Sequence, residues 1–567
     1  DEGNRKKRPK KENSYGTLLK NMYKYTISTL KLTFVLIMAS LFGIISCGRN
    51  TDSSPSRPNI LFIMSDDHAY QAISAYDDRL IQTPNIDRIA NEGALFTNSC
   101  VTNSICAPSR ATILTGKHNH INGKIDNRSP FDTTQVTFPQ LFQESGYQTA
   151  MFGKLHFGNN PKGVDDFMIL PGQGHYLNPD FITKDGDTTI NGHVTEIITD
   201  LALEWLQDKR EKEKPFLMMY LHKAPHRPWW PESTKFEEFS KKQFPLPETL
   251  FDKYENRGTA AKTAEMNLLH DMRYGHDSKI RPETMALMKD IEPYVQPYNW
   301  GGNDGFTTSY VRFNEKQRSK YDPVIDSINV WFQTNWSQLT NDEKMEWKYQ
   351  RYMQDYLGCI SSIDDNVGRI LDYLDEEGLY ENTIVVYTSD QGFYLGEHGW
   401  FDKRFIYDES FKTPLLIRWP NKIKPGMKKT EMVQNLDYAQ TFLDMAGIDQ
   451  PLDMQGESLM PLLTGEESKW NRDAVYYHYY EYPSVHMVKR HYGIVTEEYK
   501  LAHFYYDVDE WELYDRHADL NEMNNVYNDP SYSEIVSKLK IELTELRSKY
   551  NDSSELDQFY LDQYLAD

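Results

Sequence analysis

The chain has 567 residues, with 62 basic and 84 acidic side chains and a formal net charge of −22 at pH 7. Such a length can bury a large core and usually holds more than one domain. The acidic balance argues against nucleic acid as a partner. It also repels polyanions, so an anionic substrate would need cations concentrated at its binding site.

The first 57 residues carry signals for export rather than the pattern of a folded core. Residues 1–21 are polar and basic at the start, which is typical of upstream sequence or of a tag. Residues 22–47 have the basic flank, the short apolar run and the small residues of a secretory signal peptide ending at Cys47. The run is too short for a membrane span. Residues 48–57 form a linker rich in Ser and Pro.

A buried strand is predicted over residues 58–64, because this run is almost wholly apolar. Asp66 and Asp67 follow it, and in open α/β sheets ligands bind beyond the carboxyl ends of the strands. Two adjacent carboxylates at such a place repel each other unless a cation lies between them. A solvated turn is the alternative for the dipeptide alone.

The next chemical signal is the run SICAPSRATILTG at residues 104–116. Pro108 stands where a first-turn proline is tolerated, so we predict that a helix begins beside Cys106. A group at that place lies at the positive end of the helix, and Arg110 adds a full positive charge. A buried structural cysteine is the alternative for Cys106 taken alone.

Another strand, over residues 147–152, leads to Lys154 and His156. In an extended segment these two side chains project to one side, where they suit charge stabilisation and proton transfer. A surface lysine and a capping histidine are the alternative. Four side chains of the following loop could contact a sugar: Gln173, His175, Tyr176 and Asn178. An ordinary turn-rich surface loop is the alternative.

Two further apolar strands also end in polar segments. Residues 215–221 precede the run HKAPHRPW, which contains His226, and residues 383–388 precede Asp390 and Gln391. The loop after the second strand continues to two cations, Lys403 and Arg404.

The rest of the chain predicts elements without evident chemistry. Residues 232–350 form a polar, insertion-like region with helical patches, and residues 451–465 form a connecting loop. Aromatic alternation at residues 476–482 and 491–504 predicts strands, where His478 or His491 could contact sugar. Spacing and end signals predict helices at residues 83–93, 138–146, 194–209, 352–378, 436–446 and 533–550.

Together these segments resemble the signature of formylglycine-dependent sulfatases, the type I sulfatases of the alkaline phosphatase superfamily. The resemblance rests on Cys-x-Pro-Ser-Arg with Thr-Gly following, on the Asp-Asp pair, on Gly-Lys-x-His and on Ser-Asp-Gln-Gly. It implies that Cys106 is oxidised to formylglycine (3-oxoalanine) by a formylglycine-generating enzyme or an anaerobic sulfatase-maturating enzyme. The hydrate of that aldehyde is the nucleophile of the family.

The resemblance also implies a ligand set and site residues. One Ca2+ would be held by Asp66, Asp67, Cys106, Asp390 and Gln391. The family usually has Asn or His at the last of these positions, and Gln still offers a carbonyl oxygen to a hard cation. The implied catalytic residues are Cys106, Arg110, Lys154, His156, His226 and Lys403. The implied substrate-binding residues are His226, Lys403 and Arg404.

In the mechanism that the resemblance implies, one hydroxyl of the aldehyde hydrate attacks sulfur and expels the sugar alcohol. Arg110 and Lys154 hold the hydrate and its charge. His226 or Lys403 assists the leaving oxygen, and His156 then takes the proton whose removal releases sulfate.

The expected fold is α/β, with a large, mostly parallel mixed sheet sandwiched by helices in a catalytic domain at residues 58–430. A smaller C-terminal α+β subdomain with a short antiparallel sheet is expected at residues 431–567. The end of the signal peptide resembles a bacterial lipobox. It implies a periplasmic or cell-surface (outer-membrane) lipoprotein that touches the membrane only through lipid on Cys47. Cys100 and Cys359 then remain as two thiols or as one bridge.

The expected activity is hydrolysis of sulfate esters on carbohydrates. The run FPLPETLFD at residues 244–252 resembles carbohydrate sulfatases of the glucosamine-6-sulfatase-like kind. A glycosaminoglycan, a mucin-type glycan or an algal polysaccharide such as ulvan is the expected sulfated partner. A phosphonate or phosphate monoester hydrolase of the same superfamily and a non-catalytic glycan-binding lipoprotein are the alternatives.

Overall fold

The computed structural model describes residues 57–288, 291 and 305–566. Its strands are β1 (Asn59–Ser65), β2 (Ala94–Phe96), β3 (Ser99–Cys100), β4 (Gln148–Gly153), β5 (Asp166–Ile169), β6 (Asp180–Thr183), β7 (Gly186–Thr189), β8 (Phe216–Leu221), β9 (Thr383–Ser389), β10 (Leu415–Arg418), β11 (Met427–Lys429), β12 (Val433–Gln434), β13 (Ala474–Tyr479), β14 (His491–Thr496), β15 (Tyr499–Phe504) and β16 (Glu510–Asp515).

Its helices are α1 (Pro84–Asn91), α2 (Cys106–Thr115), α3 (Asn119–Asn122), α4 (Phe138–Glu144), α5 (Val194–Glu204), α6 (Ser233–Phe239), α7 (Thr259–Thr263), α8 (Tyr274–Ser278), α9 (Pro282–Leu287), α10 (Gly305–Tyr310), α11 (Glu315–Asn335), α12 (Asn341–Glu376), α13 (Asp408–Phe411), α14 (Tyr438–Ala446), α15 (Met460–Thr464), α16 (Ser533–Lys549) and α17 (Ser554–Ala566). Within the described part of the chain, no helix has both the length and the apolar character that a membrane span requires.

The main sheet has ten strands in the order β11-β2-β10-β9-β1-β8-β4-β5-β6-β7. Its five central strands, from β9 to β5, are parallel to one another, and antiparallel strands flank them. Strand β1 lies in the middle, where Ile60 is in register with Leu217 of β8 and Ile384 of β9. The predicted mostly parallel mixed sheet is confirmed.

The alternation of side chains along β1 places an apolar core on each face of the sheet. Leu61 and Ile63 belong to one core, which also contains Ile360 of α12. Ile60 and Phe62 belong to the other core, on the side of α2 and α14. Because both faces are covered by helices, the central strands are apolar throughout, as the sequence pattern predicts.

A separate antiparallel sheet, β13-β14-β15-β16, lies in the C-terminal part of the chain. This confirms the predicted short antiparallel sheet. Strand β16 was not predicted, because polar residues interrupt the apolar ones in its sequence, EWELYD. The helix predicted at residues 533–550 is α16, but it is not the last one, since α17 follows it. The loop predicted at residues 451–465 contains the short helix α15.

The predicted helix at 352–378 begins eleven residues earlier, at Asn341. Thr340 and Glu343 form a reciprocal capping box there, which satisfies backbone donors in the first turn. The helix predicted at 194–209 is α-helical only to Glu204 and ends in a π-helical turn, Trp205–Lys209. The signal peptide and lipobox predicted at 22–47 lie outside the described residues.

Candidate active site

The candidate active site lies at the carboxyl edge of four adjacent parallel strands. Asp66 follows β1, Asp390 follows β9, and Lys154 follows β4 directly. His226 comes five residues after the end of β8. The crossover connections of a parallel sheet bring these strand ends to one edge, which is why residues far apart in the sequence meet there.

The predicted metal ligands converge at this edge. One ligand atom from each of Asp66, Cys106 and Asp390 lies within 4.8 Å of the other two, and all three residues are buried. The side-chain amide of Gln391 donates to Asp67 Oδ1, and its nitrogen lies 4.0 Å from Cys106 Sγ. The structure therefore brings all five predicted ligands together.

Two buried oxygens of this set have no hydrogen-bond donor among the described residues. They are Asp66 Oδ1 and Gln391 Oε1. Buried polar atoms without partners are costly, and carboxylate and amide oxygens are ligands that Ca2+ prefers. The residues present thus fit a hard divalent cation.

Three cations surround the carboxylates. Arg110 Nε and Nη2 each lie 2.9 Å from Asp390 Oδ2, and Arg110 also donates to the carbonyl oxygen of Lys154. The Lys154 ammonium pairs with Asp66. Lys403 Nζ lies 2.6 Å from Asp67 Oδ1 and 2.7 Å from Asp67 Oδ2. Each predicted ligand carboxylate therefore has its own basic partner in a fully buried setting.

The carboxylates do not ionise equally. Burial, opposed by Lys403, raises the pKa of Asp67 to about 6, and burial with the negative charge of Asp66 raises the pKa of Asp390 to about 7. For Asp66, burial is outweighed by Lys154, His226 and Arg110, and its pKa is held well below the usual range. Burial and the repulsion between neighbouring carboxylates thus disfavour the ionised forms of Asp67 and Asp390, and a bound divalent cation would favour them.

Cys106 is the first residue of α2, which ends at Thr115 and is capped by Gly116 with a positive φ of 62°. Burial raises the pKa of the Cys106 thiol, so an unmodified side chain is neutral rather than a thiolate. Its position therefore does not favour ordinary cysteine nucleophilic chemistry, despite the helix N-terminus and Arg110.

The prediction that Lys154 and His156 alternate along an extended segment is wrong. Strand β4 ends at Gly153, and His156 adopts a left-handed conformation with φ 67°. Lys154 is buried, whereas His156 is half-buried and its Nδ1 has no hydrogen-bond partner among the described residues. Burial and the charge of Lys154 hold the pKa of His156 well below its usual range, so its ring is neutral.

His226 and Arg404 differ in how closely they approach the ligand cluster. His226 Nε2 lies 3.8 Å from Asp67 Oδ2, and its Nδ1 lies 2.6 Å from the carbonyl oxygen of Arg227. Arg404 follows Lys403, but its guanidinium pairs with Glu481 at 3.0 Å and with the preceding Asp402 at 3.3 Å. The charge of Arg404 is therefore largely engaged by protein carboxylates.

Of the four loop side chains considered for sugar contact, Gln173 comes into the site, where its Oε1 lies 2.5 Å from Lys154 Nζ. Tyr176 donates to the carbonyl oxygen of His226, and Asn178 is engaged by hydrogen bonds to Arg312 and Gln317. His175 is half-buried.

The two histidines considered in the C-terminal strands are buried in that sheet. His478 lies 3.1 Å from Asp552 and 2.7 Å from the Tyr505 hydroxyl. His491 contacts the backbone of Lys489 and Ile406. The idea that either one contacts sugar is not supported, because both rings already have protein partners.

Several residues that position the site left no signal in the sequence. Tyr356 on α12 donates to the carbonyl oxygen of Asp67, and Asn127 accepts from the amide of Ala107, beside Cys106. Asn435 donates to Ser109 Oγ, which in turn donates to the backbone of Asp390. Each of them acts through hydrogen bonds to residues distant in the sequence, which no local sequence pattern predicts.

Cys100 and Cys359 are both free, so the alternative of a bridge between them is wrong. Each is buried in a different apolar cluster, which explains two thiols in terms of packing alone.

Comparison with known families gives two matches. The sulfatase family model matches residues 58–448, and a model described as N-sulphoglucosamine sulphohydrolase, C-terminal, matches residues 396–549. Among characterised sequences, the chain is 45% identical to an N-acetylglucosamine-6-O-sulfatase of Bacteroides thetaiotaomicron over 92% of this chain and 91% of that protein. It is 22% identical to an ulvan-active sulfatase of Formosa agariphila, over 96% and 93% of the two chains.

Among solved structures, one sulfatase in complex with its substrate D-glucosamine-2-N,6-O-disulfate is 45% identical, with a TM-score of 0.82 over 88% of this chain and 99% of that one. A phosphonate monoester hydrolase from Silicibacter pomeroyi is 19% identical, with a TM-score of 0.62 over 87% and 96% of the two chains. At that identity the second match reports a shared fold alone.

Proposed function

The chain belongs to the sulfatase family, and from that premise we propose that it removes the 6-O-sulfate from glucosamine residues of sulfated glycans. The observation that carries the proposal is 45% identity, over nine-tenths of both chains, to a relative named for that reaction. The chain is a sulfuric ester hydrolase that acts on carbohydrates; the glucosamine ring and the 6-position are the proposed part.

The family generally uses a formylglycine and calcium, and we place both at the site described above. Cys106 would carry the aldehyde, whose hydrate supplies the attacking oxygen when formed. Asp66, Asp67, Asp390 and Gln391 would hold Ca2+, which polarises a sulfate oxygen when bound. Support comes from the convergence of these ligand atoms and from Asp66 Oδ1 and Gln391 Oε1, which accept no hydrogen bond from the described residues.

The basic residues then divide between two tasks. Arg110 and Lys154, each paired with a carboxylate of the cluster, orient the nucleophile and hold negative charge beside it. Lys403 and His226 both approach Asp67, and in this proposal they assist the leaving oxygen of the sugar. His156 is neutral and has an unpartnered Nδ1, so it can accept a proton there.

A desulfation screen tests the proposed substrate. The mature enzyme is incubated with N-acetylglucosamine 6-sulfate, glucosamine 2-N,6-O-disulfate, glucosamine N-sulfate, galactose 6-sulfate and ulvan oligosaccharides, and released sulfate is measured by ion chromatography. We expect sulfate from the first two, with the N-sulfate of the disulfate retained. Faster release from ulvan or galactose 6-sulfate would overturn the glucosamine assignment. Faster cleavage of an aryl phosphate or phosphonate ester would favour the alternative hydrolase.

Lys403→Ala should lower turnover of a glucosamine 6-sulfate by on the order of a hundredfold or more, because it removes a buried charge facing developing negative oxygen. The measurement is sulfate release by variant and parent under the same conditions. Lys241→Ala, at an exposed lysine that follows α6, is the matched control and should keep parental activity. Parental rates in Lys403→Ala would remove this residue from the reaction.

Modification of Cys106 should precede folding. Cys106 is 1% exposed, and its neighbours along the start of α2 are buried as well, so a maturating enzyme cannot reach it in the native state. We expect peptide mass spectrometry of active protein to show a loss of about 18 Da at this residue. Folded, unmodified protein should stay unmodified when a maturating enzyme is added later. Conversion of the folded protein would contradict this order.

We also propose that the protein is an exported lipoprotein with lipid on Cys47, for which the sequence of residues 22–47 is the support. Partition of the full-length protein into detergent phase, lost in Cys47→Ala, would be the expected result. Equal partition of the two proteins into the aqueous phase would refute the anchor.

A further inference from the structure

The segment that carries His226 is held from several sides. Its backbone amide donates to the carbonyl oxygen of Lys223 at 3.1 Å, and its own carbonyl oxygen accepts from the Tyr176 hydroxyl at 2.8 Å. The ring Nδ1 lies 2.6 Å from the carbonyl oxygen of Arg227, and because a carbonyl oxygen only accepts, Nδ1 carries the hydrogen. Nε2 is then the nitrogen on the side of Asp67. The backbone of Arg227 thus sets which ring nitrogen faces the ligand cluster.

The side chain of Arg227 is itself fixed by a carboxylate. Its Nε lies 3.0 Å from Asp277 Oδ1 and its Nη2 lies 2.6 Å from Asp277 Oδ2, which is the bidentate geometry of a guanidinium on a carboxylate. The guanidinium also lies 4.8 Å from the centre of the Phe401 ring, and its Nη1 lies 3.4 Å from His486 Nε2. Because its charge is engaged by Asp277, Arg227 is suited to orient the backbone beside His226 rather than to bind the substrate.

Asp277 comes from α8, in the insertion-like region at residues 232–350, for which the sequence indicates no chemistry. Its side chain is fully buried. Besides Arg227, the backbone amide of Arg273 donates to its Oδ2 at 2.8 Å, and His276 Nδ1 lies 2.8 Å from its Oδ1. Burial opposes ionisation, but the charge of Arg227 outweighs it, and the pKa of Asp277 lies well below its usual range. Asp277 is therefore a charged, buried anchor at neutral pH.

Helix α8 is in turn fixed to the long helices α11 and α12. Lys279 directly follows α8, and its Nζ lies 3.3 Å from Asp355 Oδ2 on α12. The carbonyl oxygen of Lys279 accepts from Asn329 Nδ2 on α11 at 3.0 Å, and Asn329 Oδ1 accepts from the backbone amide of Arg281 at 2.8 Å. Asp277 is thus supported by packed helices, which hold a group in place more precisely than a loop does.

We propose that Asp277 is a positioning residue of the reaction, which acts through Arg227 to keep the ring of His226 turned to the substrate. The inference rests on the part that the proposed function gives to His226, which is to assist the leaving oxygen. It also assigns a task to the insertion-like region, which braces the segment that follows β8. Without Asp277, the backbone of Arg227 is free to turn, and the ring adopts orientations in which Nε2 misses the leaving oxygen. Such a loss of alignment lowers the rate of the chemical step more than it weakens substrate binding.

A contribution of Asp277 to stability alone is the alternative, because removal of one partner of a buried ion pair generally destabilises a fold. A loss of stability would lower turnover whether or not His226 is present. A positioning effect depends on that ring. A double-mutant cycle separates the two, since non-additive effects show that two residues act together.

The cycle uses Asp277→Asn, His226→Ala and the double variant, and sulfate release is measured on the sulfate ester of the screen that the parent cleaves fastest. We expect Asp277→Asn to lower kcat by on the order of ten- to a hundredfold, with KM within about twofold of the parent. In the His226→Ala background the same substitution should lower kcat by less than about threefold. Asp557→Asn is the matched control, because it breaks a buried pair with Arg547, 2.7 Å away, that joins α17 to α16. It should lose thermal stability to a similar extent and keep parental turnover.

Equal losses in the two backgrounds, or parental turnover in folded Asp277→Asn, would overturn the proposal. If Asp277→Asn does not fold, Arg227→Gln takes its place in the cycle, because Asp277 then keeps Arg273 and His276 as partners. A raised KM at unchanged kcat in Arg227→Gln would indicate a substrate contact and would also overturn the proposal.

The failure of the proposed function gives different results. The cycle does not depend on the sugar, so a different preferred substrate leaves its outcome unaffected. Parental turnover in His226→Ala would contradict the proposed part of His226 in the reaction, and this inference with it.

Discussion

Cys106→Ala should leave the fold intact and reduce sulfate release to the rate of a blank. The substitution removes one sulfur atom from a buried helix start, which costs about 1 kcal/mol of stability by the usual cavity effect. The aldehyde cannot form on alanine, so the attacking oxygen is lost altogether. Loss of a nucleophile lowers turnover by on the order of 10⁴-fold or more.

The measurement pairs sulfate release with thermal unfolding on the same preparations. Cys100→Ala is the matched control, because Cys100 is also 1% exposed but packs in an apolar cluster that does not include Cys106, and its thiol donates only to the carbonyl oxygen of Val433. That variant should keep parental turnover with a similar loss of stability. If Cys106→Ala still released sulfate above the blank, the nucleophile would have to be another group.

The sequence predicts much of this site because of sheet topology. Asp66 and Asp390 each stand directly after an apolar run, and parallel strands bring such ends to one edge. The continuous apolar run of β1 also predicts that helices cover both faces of the sheet. Cys106 is found for a similar reason, since Pro108 marks the beginning of its helix.

Other features follow from contacts between distant segments and could not be predicted. His156 leaves the extended path because its backbone turns to a positive φ, which the tetrapeptide Gly-Lys-Leu-His does not require. Arg404 looked like a free cation beside Lys403, but Glu481 lies 77 positions later and pairs with it.

Asp390→Asn should remove the cation of the active site and activity together. Asp390 is a buried ligand candidate that accepts a hydrogen bond from Arg110 Nε and forms an ion pair with Arg110 Nη2, so an amide keeps its volume but not its charge. Metal affinity falls when a carboxylate ligand becomes neutral, and the site also loses a negative charge that balances its cations. We expect a loss of sulfate release by on the order of a thousandfold, because polarisation of the sulfate is lost. Asp365→Asn, on the exposed side of α12, is the control.

The Asp390→Asn variant also tests how the stability of the fold depends on pH. In calcium-free protein the pKa values of Asp67 and Asp390 are raised from 3.8 to about 6 and about 7. A raised carboxyl pKa stabilises the fold at low pH, and this contribution is lost as the pH rises from about 4 through 7. Asp66 has a lowered pKa, so its contribution is complete above 3.8 and constant over this range.

Chelated parent should therefore lose thermal stability between pH 5 and pH 8 relative to Asp390→Asn, which has one titrating carboxyl fewer. Added CaCl2 should raise the unfolding temperature of the parent more at pH 8 than at pH 5, because at pH 5 the ion must first displace protons from Asp67 and Asp390. Other buried carboxyls with raised pKa values, such as those of Glu409 and Glu522, contribute with the same sign, but they are common to both proteins and cancel in the comparison. The contrary result would be that calcium stabilises the parent more than Asp390→Asn by the same amount at pH 5 and at pH 8. Asp390 would then not exchange a proton for the ion.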